Sequence, residues 1–136
     1  MQDFLTAQLL LREDEFLAEV SASTAAIAVD LISGSIVYAT TEAEKLFQCR
    51  VKNGLAGTKF ENLIPSELRE RHAKHVLAYA KNPHRRAMGG DQVRLRAQPL
   101  EGDSFPVAIT LLPIKKGDRL YVILTFMSLP KQEGHA

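Results

Sequence analysis

Tryptophan is absent from these 136 residues, cysteine occurs once, and no apolar stretch is longer than a strand. The single thiol, Cys49, excludes an intramolecular disulfide and suits a reducing cytoplasm, which is the expected location. The longest apolar segment, Leu120 to Met127, is interrupted by Thr125 and falls far short of a bilayer span, so no membrane partner is expected. The first residues, MQDFLTAQLLLREDEF, place an acid at position 3 and show no cleavage-like site, so no signal peptide is expected. Internal repeats and low-complexity segments are lacking too. No Ser/His/Asp set, paired carboxylates or phosphate-binding loop can be assembled, so the chain does not read as an enzyme.

What is present is an ordinary globular composition, 46% hydrophobic and 24% charged, sized for one domain. The net charge of +1 hides an asymmetry. Residues 1–48 hold two basic and eight acidic side chains, and residues 67–98 hold eight basic and three acidic ones. The basic half lacks interleaved aromatics and any base-reading motif, so nucleic acid is not an expected partner. It reads instead as a solvated helix face followed by an exposed strand.

The most informative stretch is LIPSELRERHAKHVLAYAKNPHRRAMGG, residues 63–90. Leu68, His72, His75, Val76 and Tyr79 recur at helical spacing. Arg69, Glu70, Arg71, Lys74 and Lys81 fall on the opposite, solvated face. Ser66 is placed to cap the helix and Pro83 to end it. An apolar face bearing two imidazoles implies a sheet packed against it, with or without a ligand between. Upstream, Asp3 to Val20 reads as an amphipathic helix with Leu5, Leu9, Phe16 and Val20 on one side. Those four side chains either bind a second copy of the chain or pack on the chain's own sheet.

Between these helices, Ala25–Asp30 and Ile36–Ala39 form a hairpin around Ser33-Gly34. Thr40 and Thr41 cap a short helix, Thr41 making a capping box with Glu44; Cys49 to Thr58 is a turn-rich connection, and Phe60 to Ile64 is one helical turn. After Gly89-Gly90 the period changes to two. Val93, Leu95 and Ala97 form one strand, Phe105 to Leu112 a second and Leu120 to Met127 a third, closing an antiparallel meander. The sum is an α+β fold: a five-stranded antiparallel sheet with helices on one face, preceded by an N-terminal amphipathic helix. Residues 1–24 form that helix, 25–128 the domain and 129–136 a polar tail.

Three segments in this order, DLISGSIVYATTEAEKLF at 30–47, LAGTKFENLIP at 55–65 and GDSFPVAITLLPI at 102–114, resemble the PAS domain family over residues 25–128. Thr40 stands where that family usually has asparagine, and Gln48 where it usually has glycine. The resemblance implies a cytoplasmic sensory module of bacterial signal transduction. Such a module holds a small ligand between long helix and sheet, or serves purely for protein–protein contact, and acts as a homodimer or with a partner protein.

IPSELRERH at 64–72 is similar to the segment of oxygen-sensing PAS domains that carries the haem-ligating histidine. The match implies His72 as iron ligand and Met88 near the distal side, with haem the candidate cofactor. The arginine that gates oxygen in those domains has no counterpart at Gly90, so their oxygen switch is not expected. A haem wall would come from Val76, Tyr79, Leu111, Ile123 and Thr125; otherwise His72 is a half-exposed residue of the helix–sheet interface. His75 lies three residues on, but no third metal ligand has a suitable spacing. His84 reads as a solvated loop residue. The context LFQCRVKNG does not match the cysteine of light-sensing flavin PAS domains, so no flavin adduct is expected and Cys49 reads as a free thiol.

Overall fold

The last hairpin organises the structure. In a computed structural model of the chain, which describes residues 10–88 and 95–130, strand β5 (Phe105–Lys116) pairs from Val107 onward with the whole of β6 (Arg119–Ser128). The two-residue turn between them begins at Gly117, whose φ of 63° is natural for glycine. On the other side of β6 lies β1 (Ala25–Asp30), followed by β2 (Ser35–Ala39). On the far side of β5 lie two short strands, β3 (Arg86–Met88) and β4 (Leu95–Ala97), which share one edge position. All pairings are antiparallel. The sheet therefore has five positions, as the pattern implied. β3 was not anticipated, because Arg-Ala-Met carries no period-two signature. Val93 and Gly89-Gly90 lie outside the described residues.

Strand alternation gives the sheet two apolar faces. Val107 on β5 and Val122, Leu124 and Phe126 on β6 point inward, where Phe47, Leu55 and Leu63 cover them. Tyr121 and Ile123 point outward with Ala26 and Ala28 of β1. A register shift between Ala28 and Val29 leaves Val37 of β2 as the extra residue of a bulge. It lets Ile36 pack inward and Tyr38 outward although they are two residues apart.

The outer face is covered by helix α1 (Glu13–Glu19), shorter than the helix expected over Asp3–Val20. Arg12 is extended, with ψ of 154°, so the helix starts only at Glu13. Phe16 is 1% exposed and stacks on Tyr38 at 5.7 Å between ring centres. Tyr38 donates its hydroxyl to the Leu11 carbonyl (2.8 Å), and Lys116 donates to Glu15 at 2.7 and 2.9 Å. Of the four side chains expected on one helix face, Phe16 is therefore committed to the chain's own sheet. Val20 is half-buried against the same cluster, and Leu5 and Leu9 lie outside the described residues.

Helix α2 (Thr41–Leu46) follows β2. Its cap is Thr40, one of the two threonines expected to cap it. The Thr40 hydroxyl accepts from the Ala43 N–H (3.2 Å) and the Ala26 N–H (2.9 Å), and donates to the Thr24 carbonyl (2.8 Å). One buried oxygen thus fastens α2 to β1, the junction where asparagine is usual in the resembled family. Glu44, expected in a capping box, is instead buried, and its Oε2 has no hydrogen-bond partner among the described residues. Beyond α2, Gln48 has φ of 59°, a left-handed conformation that costs a side-chain-bearing residue about 1–2 kcal/mol. The Asp30 carboxylate closes the first hairpin by accepting from the Ile32 N–H (3.0 Å) and from Arg119 of β6 (2.6 Å).

Two substitutions test this junction. Gln48→Gly, by relieving the left-handed strain, is expected to raise stability by about 1 kcal/mol in urea unfolding. Thr40→Val keeps the shape but strips both backbone donors of their acceptor, and is expected to cost about 2 kcal/mol. A neutral Thr40→Val would mean that the hydroxyl fastens nothing.

Candidate functional site

The region between the long helix and the inner sheet face is built from residues 60–81. Two short 3₁₀ turns, Phe60–Leu63 and Ser66–Leu68, lead into helix α3 (Arg69–Lys81). Ser66 begins the second turn rather than capping α3, and Leu68 stands at the cap without a side-chain bond. Arg69, expected in solvent, is half-buried and donates its Nε–H to the carbonyls of Glu61 and Ile64, both at 3.0 Å. This pin rotates the helix so that its inward arc centres on Leu68, Arg69, His72, Val76 and Tyr79. His75 falls off the edge of that arc and is exposed. No residue of α3 is fully buried, and Asn82, before Pro83, leaves the helix with φ of −145°.

His72 lies with its ring 5.4 Å from that of Phe60, edge to face. Burial lowers its pKa below the ordinary 6.5, nearby His75 adds to the lowering, and Glu61 opposes it. The imidazole is therefore neutral at pH 7 and able to ligate or accept a hydrogen bond. Tyr79 donates its hydroxyl to the His84 carbonyl (2.7 Å) and packs on the inner core, raised in pKa chiefly by burial. His84 is exposed, as a loop residue would be, its Nδ1 2.8 Å from the Asn82 carbonyl.

The other expected ligand contacts divide between the two faces. Leu111 pairs with Leu124, and Met88 pairs with Ile109, so both belong with the inner face that α3 borders. Ile123 pairs with Leu112 and packs beside Phe16 on the outer face, and Thr125 is hydrogen-bonded there to Thr110. The structure brings His72, Val76, Tyr79, Met88 and Leu111 to one side of the sheet and places Ile123 and Thr125 on the other. Apolarity alone does not say which face a strand residue takes; the pairing register does.

The inner face is occupied by the chain's own side chains. Phe47, fully buried, meets Phe126 edge-on at 5.1 Å and Phe105 at 5.8 Å. Two clefts of about 380 and 350 Å³ lie elsewhere, one by Ser23, Glu42, Lys45 and Phe126 at the end of the sheet, the other on the outer face. Neither reaches His72. A haem needs an open apolar slot beside the imidazole, and the ring abuts Phe60 instead, so the residues around His72 do not fit that group. Among the described residues, no three His, Cys, Asp or Glu side chains gather at metal-binding distance, and no helix is long and apolar enough to cross a membrane. The Cys49 thiol donates to the Val51 carbonyl at 3.3 Å and fills the space that a Cβ at Gly54 would need.

No family model matches the sequence, and no curated protein matches it. Solved structures do resemble the fold. A PAS domain of a two-component sensor histidine kinase is 11% identical with a TM-score of 0.61, the alignment covering 94% of this chain and 97% of that one. The PAS domain of a Desulfitobacterium hafniense protein is 13% identical with a TM-score of 0.64, over 83% and 98% of the two chains. The PAS-B domain of Drosophila melanogaster Cycle is 10% identical with a TM-score of 0.62, over 77% and 99%.

Because the folded chain binds a proton at His72 less readily than the unfolded chain, this residue contributes stability above its ordinary pKa and loses it as pH falls below that value. The urea midpoint is expected to drop between about pH 7.5 and about pH 5.5, and less steeply in His72→Gln. Equal slopes in the two proteins would show that the ring is not desolvated.

Proposed function

We propose, from the premise of the PAS fold that this chain has, a non-enzymatic signalling module of the cytoplasm that works by contact. Its outer sheet face and helix α1 relay the signal to a second copy or to an output protein. The observation that carries this reading is the filled interior: Phe47, Leu55, Leu63 and Phe126 occupy the inner face where a ligand would otherwise lie. Support also comes from α1, which buries Phe16 against the sheet while turning Leu17, 50% exposed, to solvent. An exposed leucine on the helix that covers the sheet suits a contact between two copies.

A second reading keeps the sensory ligand. It is favoured by one observation, that His72, Val76 and Tyr79 remain only half-buried along α3. A small apolar molecule seated there would complete their burial, as the family resemblance implies for ligand-holding members.

Sedimentation equilibrium and a hemin titration test the two together. Under the contact reading the wild-type chain forms a dimer that Leu17→Glu weakens at least about tenfold, the effect of some 1.4 kcal/mol. A strictly monomeric wild type that also captures no partner overturns it. Hemin is expected to give no sharp Soret band; a band lost in His72→Ala would replace the contact reading with a haem sensor.

A further inference from the structure

Helices α1 and α3 lie on opposite sides of the sheet, α1 through Phe16 on the outer face and α3 through Tyr79 at the inner one. Each turns one leucine to solvent, Leu17 at 50% exposure and Leu77 at 68%. An exposed alanine follows each leucine, Ala18 and Ala78, so both helices offer a low apolar spot. The charges around the two spots are opposite. Beside Leu17 stand the exposed acids Glu13 and Asp14, with Arg12 tied to Asp14 at 3.0 Å and Glu15 taken by Lys116. Beside Leu77 stand Lys74 and Lys81, with Arg71 one turn before Lys74; Glu70 is the one acid of α3. Arg71, Lys74 and Lys81 are exposed, and none forms an ion pair with another described residue. Lys74, Leu77, Ala78 and Lys81 recur at helical spacing and so make one continuous stripe.

We propose that α1 of one copy packs on α3 of the next, head to tail. The proposal rests on the contact reading above and names the surface that Leu17 meets. Laid antiparallel with Leu17 on Leu77, the helices bring Glu13 beside Lys81, since each lies four residues from its leucine. Ala18 and Ala78 let the two backbones approach. A second α1 is a poor partner for α1, because Glu13 and Asp14 would face acids of their own kind. A second α3 fails in the same way, with Lys74 and Lys81 opposed. An anionic membrane suits α3 less well, because Leu77 is the one large apolar side chain that the helix exposes. Since α1 and α3 belong to opposite layers of the domain, one partner cannot engage both surfaces of the same copy. A dimer therefore keeps one free acidic surface and one free basic surface, and association continues past it.

Sedimentation equilibrium of the full chain, of two variants and of their mixture is the test. The wild type is expected to form dimers that grow into larger assemblies with concentration, and added salt to weaken them. Leu17→Glu leaves only the α3 surface and Leu77→Glu only the α1 surface, so each alone is expected to associate at least about tenfold more weakly. Mixed in equal amounts, the two are expected to form a dimer that grows no further. Lys81→Glu is expected to weaken association about fivefold, and Glu13→Lys in the same chain to restore it. All four positions are exposed, so folding survives, which circular dichroism verifies. If Leu77→Glu dimerises as well as the wild type while Leu17→Glu does not, the inference falls and the contact reading stands. A mixture that stays monomeric overturns the inference too. So does a strictly monomeric wild type, whether or not it captures another protein, and its sedimentation with phosphatidylserine vesicles would give α3 to a lipid surface instead.

Discussion

Strand β6 has apolar side chains on both sides, and the rest of the structure answers to that constraint. Val122, Leu124 and Phe126 demand one cover, Tyr121 and Ile123 another. A sheet whose middle strand is apolar on both faces leaves none to water and so requires a layer on each side. The connection from Thr40 to Lys81 supplies the inner layer, although only α2 and the turns near Leu55 and Leu63 seal it fully. The segment before β1 supplies the outer layer. The placement of α1 follows from what β6 and β1 expose on that side.

The two covers differ in kind. The inner one is a side-chain core, in which aromatic rings meet edge-on and a threonine hydroxyl ties helix to strand. The outer one rests on a single aromatic anchor, Phe16, steadied by a tyrosine hydroxyl and a lysine–glutamate pair. Charge follows the same division. The acidic side chains of α1, Glu13, Asp14, Glu15 and Glu19, lie over the outer face, and the basic stretch runs along α3 and into β3. They come near each other at the outer cleft, which Glu19 and Arg85 both line.

The fold was legible where period and punctuation agreed. Alternation at Phe105–Leu112 and the Pro83 stop each carried their own physical reason, and the five-position antiparallel sheet followed. The candidate site was legible only in part, because which face a strand residue takes depends on pairing register. Leu111 and Ile123 look alike in sequence yet sit on opposite sides of the sheet. The helical wheel of α3 misplaced His75 and Arg69 for a similar reason, since Arg69 is drawn inward by the carbonyls of Glu61 and Ile64, which no periodicity encodes. The outer cleft had no local signature at all. Glu19, Arg85 and Thr110 belong to three elements that meet only through topology.

Helix α1 holds seven residues, fewer than two full turns, and a helix that short has almost no stability of its own in water. Its attachment to the sheet is therefore an equilibrium whose free energy is set by Phe16 and a few polar bonds, well below the cost of opening the inner core. Peeling it away would uncover Ala26, Ala28, Tyr121 and Ile123 while leaving the inner layer intact. The outer face thus behaves as a surface that the chain lends to itself, held by the burial of Leu11 and Phe16 and a few polar bonds.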